Sequence, residues 1–383
     1  MRKNETLLID NSLKPFWNCR PTTLWPDVID IFTFISEIAG LLLNLLTAIL
    51  LFRLHHGPKL SLQILQTLII HCFMVCLINF LEDVNPFDLK IQSNIFNMLF
   101  CFLWNSRFFI CLFEIAAVHC IVFFSVDRAL VLLNLHQFRY TSSINRVICY
   151  EVAIHLFSLT YAITQIFTVS LHDGECFCAP TWINFEFLTI IYASVFFRFM
   201  FLHTVSSCLL LTSGYYILKW TKNTPLDHQF EELNAVTFHE NEKVKITGKG
   251  RMTASMCVLP MAVSHILTFH YDATYQFFGA VGLVAYSINS PQQKIGDLLL
   301  VFNANVIPLI LIVYLPPLRE FVLQRISAAA TLIRQAMTRQ SSQRQDDMEP
   351  PAGLAQPSRS HALTAHTQID REQNNQETQA SPM

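Results

Sequence analysis

The sequence predicts an all-α membrane protein, a seven-transmembrane helix bundle with an amphipathic helix after helix seven. Of the 383 residues, 52% are hydrophobic and only 14% are charged, whereas soluble domains carry about 25% charged residues. The apolar residues also form seven runs of the length that a membrane helix needs, about 20 residues. These runs cover residues 28–52, 61–81, 95–126, 146–170, 186–218, 252–271 and 295–315.

Basic residues predict which loops face the cytoplasm. If the N-terminus lies outside, the three inner loops carry eleven Lys and Arg residues, and the outer loops carry only Lys90 and Lys294. Cytoplasmic loops have an excess of basic residues. The four basic residues of the N-terminal tail favour the opposite orientation, but they are outnumbered. We therefore predict an external N-terminus.

The segments outside the bundle have distinct compositions. Apolar residues recur at helical spacing after Pro316-Pro317, with arginines between them, which predicts an amphipathic helix on the inner leaflet. The last segment is rich in Gln, Ser and Pro and is predicted to be disordered. The organisation is therefore an outer tail, a bundle, a surface helix and a cytoplasmic tail, over residues 1–27, 28–315, 316–337 and 338–383.

Asp127-Arg128 is the most informative pair in the chain. It closes the third apolar run and is followed by a polar loop that ends in Arg139-Tyr140. Charges at such a position are costly unless they are functional. The stretch resembles the Asp-Arg-Tyr motif of rhodopsin-like G-protein-coupled receptors, with Ala129 in place of the Tyr. The resemblance implies that Arg128 contacts a heterotrimeric G protein and that Glu240 pairs with Arg128.

Three further stretches resemble this family. The family has an Asn in helix one, where this chain has Asn44. Cys257-Val258-Leu259-Pro260 resembles the Cys-Trp-x-Pro motif without its Trp, which implies a helix-six hinge at Pro260. In helix seven, Pro308 with Asn303 and Asn305 partly matches Asn-Pro-x-x-Tyr. The acid of helix two, the Trp of helix four and the Pro of helix five are absent, so the chain resembles a divergent receptor of the invertebrate orphan type.

The resemblance also implies a disulfide on the outer face. Members of the family link the outer end of helix three to the second outer loop. In this chain the corresponding cysteines are Cys101 and either Cys176 or Cys178. The family's spacing from Arg128 would fall on Leu103, two residues after Cys101, so a local irregularity is expected in this helix. In the outer tail, Asn4-Glu5-Thr6 is a glycosylation sequon.

Charged residues inside helix three predict a ligand site. Arg107, Glu114, Ile121 and Arg128 recur every seven residues and therefore share one stripe of the helix. Arg198 lies in the fifth apolar run and could pair with Glu114. A structural ion pair is the simpler interpretation of Glu114 and Arg198, whereas Arg107 lies nearer the outer mouth and is predicted to contact ligand. Cys111 is predicted to line the same region.

Some ligands and cofactors are disfavoured by the same residues. Ile110 stands where amine receptors carry an Asp, so a biogenic amine is not expected, and Lys294 lies too close to the edge to hold retinal. A net charge of −2 gives no indication of nucleic acid binding. No spacing indicates a metal site or catalytic cluster, so we predict neither a cofactor nor an enzyme.

The sequence thus predicts a plasma-membrane receptor for an unidentified extracellular ligand, with the lipid bilayer, a G protein and an arrestin-like protein at the tail as partners. One alternative is an inverted ligand-gated cation channel of the insect odorant receptor type, which has its N-terminus inside. The other alternative is a transporter, although the chain shows no internal repeat of the kind on which many transporters are built.

Overall fold

The structure is a computed structural model of the chain, and its helices account for nearly all of the residues that it describes. It describes residues 27–55, 59–84, 93–133, 143–172, 175–177, 185–224, 237–238, 254–284, 286 and 290–346. Seven of the helical spans are long and apolar enough to cross a membrane, as the sequence predicts. The fold is therefore that of a multi-pass helical membrane protein.

Ten α-helices make up these spans and the segment that follows them. They are α1 Val28–Phe52, α2 Lys59–Val84, α3 Asn94–Phe100, α4 Phe108–Leu132, α5 Ser143–Ala162, α6 Phe185–Phe197, α7 Ser206–Asn223, α8 Val258–Val281, α9 Pro291–Tyr314 and α10 Pro316–Asp346. Two π-helical segments, Cys101–Asn105 and Arg198–Val205, interrupt the third and fifth spans. Two 3₁₀ segments, Ile163–Thr168 and Ala254–Cys257, end the fourth span and begin the sixth.

The helices pack around α4. It contacts α2, α5, α7 and α8, while α1 packs against α2 and α9, and α9 packs against α8. Burial follows this arrangement, because 61% of an apolar 18-residue stretch of the third span is buried but only 17% of such a stretch of the fourth. The fourth span is therefore peripheral, and α4 is the helix best placed to connect the two ends of the bundle.

Two short antiparallel strand pairs lie outside the spans in the described part of the chain. Strand β1, Leu54–His55, pairs with β4, Thr237–Phe238, and thereby joins the segments that follow the first and fifth spans. Strands β2, Ser170–His172, and β3, Glu175–Phe177, form an antiparallel hairpin between the fourth and fifth spans.

The start of the first span is fixed by a capping box and a lysine. Asp27 Oδ1 accepts hydrogen bonds from the backbone N–H groups of Ile29 and Asp30, and Asp30 Oδ2 accepts from the N–H of Asp27. Lys294 Nζ, in the first turn of α9, lies 2.7 Å from both carboxylates. The hydrogen bond from Lys294 holds the pKa of Asp27 below its ordinary value. These contacts, which we call the Lys294 clasp, join the first and seventh spans.

A proline and an asparagine join the same two spans deeper in the bundle. Pro308 has no N–H for the carbonyl of Ala304, four residues earlier in α9. Asn44 Nδ2 of α1 donates to that carbonyl at 3.1 Å. Asn305 Nδ2 donates to the Ser36 carbonyl at 2.8 Å, and a Cβ at Gly40 would overlap the Asn305 amide oxygen. Asn44 and Asn305, which the sequence analysis selected, thus bond α1 to α9.

Several spans differ from the predicted bounds. The second, third and fifth end at Val84, Leu132 and Asn223 instead of residues 81, 126 and 218. The sixth span continues to Val281 instead of residue 271, because its polar residues Asp272 and Gln276 face the interior. The seventh begins at Pro291 instead of residue 295, where Ser290 caps the helix and accepts from Gln293 N. Helix α10 continues past residue 337 to Asp346, since this stretch contains neither Pro nor Gly. Residues 347–383 lie outside the described part.

Candidate functional site

The third span is broken near one end. Its π-helical segment is followed by Arg107, which has a left-handed backbone (φ 59°, ψ 28°) and is the only residue other than glycine with positive φ among those described. Helix α4 begins directly after it. This break is the local irregularity that the position of Cys101 requires.

A disulfide crosses from this break to the hairpin of β2 and β3. Cys101 is bonded to Cys176, and their Cα atoms lie 5.4 Å apart. Cys178, the alternative partner, lies outside the described residues. We call this end of the bundle the disulfide end. Buried Tyr286 packs against the same residues, and burial raises the pKa of its phenol well above the ordinary value.

Arg107 is the centre of a buried ion-pair network. Its Nη1 lies 3.1 Å from both carboxylate oxygens of Asp297, and its Nη2 donates to Asn79 Oδ1 at 3.0 Å. Its Nε lies 3.5 Å from Glu82. The guanidinium lines a cavity, but its hydrogen bonds are directed at protein side chains. The residue that the sequence assigns to ligand therefore joins the second, third and seventh spans.

Two adjoining cavities lie beside this network. The first is lined by the polar side chains of Asn79, Arg107, Gln165 and Asp297, together with apolar residues such as Ile110 and Cys111. The second has an apolar side formed by Val195, Phe199, Leu202, Phe269 and Ala273. Glu114, Arg198 and Leu300 line both cavities.

Glu114 and Arg198 face these cavities, and their opposite charges attract each other across them. No salt bridge within 4.0 Å and no hydrogen bond joins either side chain to another of the described residues, so the predicted pair is not in direct contact. The amide oxygen of Gln165, a residue that is only 6% exposed, is also without a hydrogen bond. Buried polar groups normally have a hydrogen-bond partner. A polar ligand or a water molecule in the cavity would supply one.

The fifth span positions Arg198 through its π-helical segment. Arg198 is the first residue of that segment. The hydroxyls of Thr204 and Ser206 donate to carbonyls five residues earlier, those of Phe199 and Phe201, at 3.1 and 3.3 Å. These bonds match the wide turn, and π-helical turns occur often at functional sites.

The opposite end of α4 carries Asp127 and Arg128. Asp127 is fully buried and Arg128 is 4% exposed. Arg128 Nη2 donates to Asp127 Oδ2 at 2.7 Å, and the same carboxylate accepts from Ser61 at 3.1 Å and from Arg146 at 3.4 Å. We call this end the Asp-Arg end. From Arg107 to Arg128 the helix rises about 30 Å, which is the thickness of the hydrocarbon core.

The remaining predicted residues lie elsewhere in the bundle or outside the described residues. Pro260 is the third residue of α8 and follows the 3₁₀ segment, so it lies in the first turn of that helix. Asn303 accepts a hydrogen bond from Ser264 of α8 at 2.6 Å. Glu240 and Asn4 lie outside the described residues, and the proposed pairing of Glu240 with Arg128 stays a prediction.

Four acidic residues of the bundle interior were not among the site residues predicted from the sequence. These are Glu37, Glu82, Asp272 and Asp297, whose side chains are buried or mostly buried. Their signal was present in the sequence, because acids within membrane helices face the interior and mark functional sites. The described residues contain no group of three or more His, Cys, Asp or Glu that could hold a metal ion.

Comparison with known proteins finds no matching family model and no match among curated proteins. The function of this chain therefore has to be argued from its own residues and their geometry.

Proposed function

We propose that this protein is a receptor of the rhodopsin-like G-protein-coupled type, which binds an extracellular ligand at the disulfide end and activates a heterotrimeric G protein at the Asp-Arg end. One observation carries the proposal. Helix α4 contributes Glu114 to the charged cavity at one end and buries Arg128 against Asp127 at the other. A single central helix can therefore couple a ligand to the opposite side of a membrane.

The coupling step is a shift in population between two states. In the described state, Asp127 holds Arg128 within the bundle. A ligand that binds a second state more tightly, in which Arg128 is released, raises the population of that state. The released guanidinium is then available to the G protein. The resemblance to the receptor family adds a movement of the sixth span, with Pro260 near its hinge.

The proposed orientation places the disulfide end outside the cell and the protein in the plasma membrane. Disulfides persist in oxidising compartments, and the basic residues of the loops favour the Asp-Arg end as the cytoplasmic side. The first part of α10 then lies at the inner leaflet. Phosphorylation of tail residues such as Ser341 and Ser342 would create a site for an arrestin-like protein.

The test uses Asp127→Asn and needs no ligand. The amide keeps the size of Asp127 but removes the charge that holds Arg128. We expect higher basal recruitment of a G protein to the membrane, measured by resonance energy transfer in living cells with each family of Gα subunits in turn. The double variant Asp127→Asn with Arg128→Ala should lose this gain at equal surface expression.

Arg334→Ala serves as the control because it removes an exposed arginine from α10. It should leave recruitment at the wild-type level. If Asp127→Asn reaches the cell surface and recruits no Gα subunit above wild type, the receptor proposal is wrong.

A further inference from the structure

The two cavities at the disulfide end contain opposite charges that the protein leaves open. Arg198 presents a guanidinium with its donors unused, and Glu114 presents a carboxylate with its acceptors unused, to the same space. Arg107 has comparable chemistry, but its Nη groups already donate to Asp297 and Asn79, and Glu82 pairs with its charge. The ligand chemistry therefore has to be sought at Glu114 and Arg198.

We propose that the cavities bind a small zwitterion, with its carboxylate on Arg198 and its ammonium on Glu114. This proposal rests on the proposed function in one respect, because it takes this site to be the one that the activating ligand occupies. An arginine fork recognises a carboxylate through two parallel hydrogen bonds. An ammonium supplies three donors, which Glu114 and the unpaired amide oxygen of Gln165 accept.

The charges of the cavity walls argue against a simple anion. Glu114, Asp272 and Asp297 line the cavities, whereas the cationic residues are Arg107 and Arg198. Arg107 is paired with Asp297, and Asp272 accepts a hydrogen bond from Gln276. An anion without an ammonium would lie beside the Glu114 carboxylate and would leave it without a donor.

A simple cation fits the site no better. It would satisfy Glu114, but the partly buried guanidinium of Arg198, which faces the cavities, would keep its N–H donors without an acceptor. Leaving buried polar groups unpaired is costly. A zwitterion satisfies both charges and does not change the net charge of the cavity.

The shape of the site limits the size of the ligand. Each cavity has room for only about one or two water molecules, so the ligand has to be small. Glu114 and Arg198 line both cavities, and movement of their side chains toward a ligand would join the two. The charged groups of the ligand then lie at these two residues, and the apolar side beside Phe199 and Phe269 receives a short hydrocarbon group.

The experiment compares zwitterions with their own fragments. The probes are L-alanine, L-leucine, β-alanine and γ-aminobutyrate. The fragments are 3-methylbutylamine and 4-methylpentanoate for leucine, and propylamine and butyrate for γ-aminobutyrate. Binding is measured as the shift in thermal unfolding of the purified full-length protein in detergent. We expect at least one zwitterion to stabilise the protein and to bind about tenfold or more tightly than either of its fragments.

Two variants locate the bound charges. Arg198→Gln and Glu114→Gln should each weaken binding of the zwitterion by about tenfold or more. Lys219→Gln, which removes an exposed lysine from the same span as Arg198, should bind like wild type. Arg198→Lys keeps the charge without the fork and should fall between Arg198→Gln and wild type.

The wild-type comparison decides the proposal even if the variants do not fold. If no zwitterion stabilises the protein, or if an amine fragment binds as tightly as its zwitterion, the proposal is overturned. Binding without G-protein recruitment by Asp127→Asn would preserve this inference and remove the proposed function. Recruitment by that variant without zwitterion binding would do the reverse.

Discussion

Arg107 combines two unfavourable features that its surroundings offset. A left-handed backbone costs an L-residue about 1–2 kcal/mol, and burial of a guanidinium costs several more. Asp297, Asn79 and Glu82 supply the charge and the acceptors that compensate. The break in the third span is thus held in place by the ion-pair network rather than by a glycine.

Replacement of Arg107 with Gln should therefore destabilise the protein strongly. The variant leaves Asp297 and Glu82 in the interior without their cation, and breaking a buried pair costs about 3–5 kcal/mol. Thermal and denaturant unfolding of the purified protein would measure this loss. Adding Asp297→Asn should recover part of it, because the second change removes one of the unpaired charges.

The matched control for this comparison is Arg53→Gln, which removes an exposed arginine at the end of the first span. It should unfold like wild type. Equal stability of Arg107→Gln and Arg53→Gln would mean that the network does not hold the break.

The sequence indicates which charged residues of the third span face the interior but does not identify their partners. The seven-residue spacing of Arg107, Glu114 and Arg128 places them on one stripe, because it is set by local helix geometry. The partner of Arg107 is Asp297, 190 positions away in another span. No local pattern specifies which helices are neighbours, so the network was not predicted, and Glu114 and Arg198 were interpreted as a pair.

At the scale of elements, the two π-helical segments position the site. The first precedes Arg107, and the second begins at Arg198. Each wide turn shifts the register of the residues beyond it, which lets a long apolar span direct a charged side chain inward. The break near Cys101 and the position of Arg198 thus have a common physical origin.

Thr204→Val tests the second segment. Valine has the shape of threonine but cannot donate to the Phe199 carbonyl, the bond that suits a π-turn. We expect a loss of about 1 kcal/mol in unfolding free energy and weaker binding at Arg198 as the turn relaxes toward an α-helix. Unfolding in denaturant and the zwitterion binding assay would measure the two effects.

Thr160→Val is the matched control because Thr160 donates to the carbonyl four residues earlier, as in an ordinary α-helix. It should not change ligand binding. If the two variants bind ligand equally, the π-helical segment does not position Arg198.

Apolar length predicts the existence of all seven spans but not their ends or interruptions. The bilayer requires a minimum apolar length, and that requirement is visible in the sequence. The end of the sixth span was missed because Asp272 and Gln276 read as loop residues, although they face the interior. π-helical turns leave hydropathy unchanged, so only the two-residue displacement of Cys101 indicated the first of them.

At the scale of the whole molecule, the first and seventh spans are joined at two depths. The Lys294 clasp holds their starts, and Asn44 and Asn305 hold their interiors. The Lys294 contacts and the disulfide together cross-link the disulfide end of the bundle. The proposed function requires that this end faces the extracellular side.

Epitope tags at the two termini would test this orientation. The loops predict an external N-terminus, with eleven basic residues on one side against two on the other, since cytoplasmic loops carry the excess. On intact cells, an antibody should therefore stain an N-terminal tag and should stain a C-terminal tag only after permeabilisation. The reverse pattern would place Arg128 outside the cell, remove it from any G protein and favour the inverted cation channel.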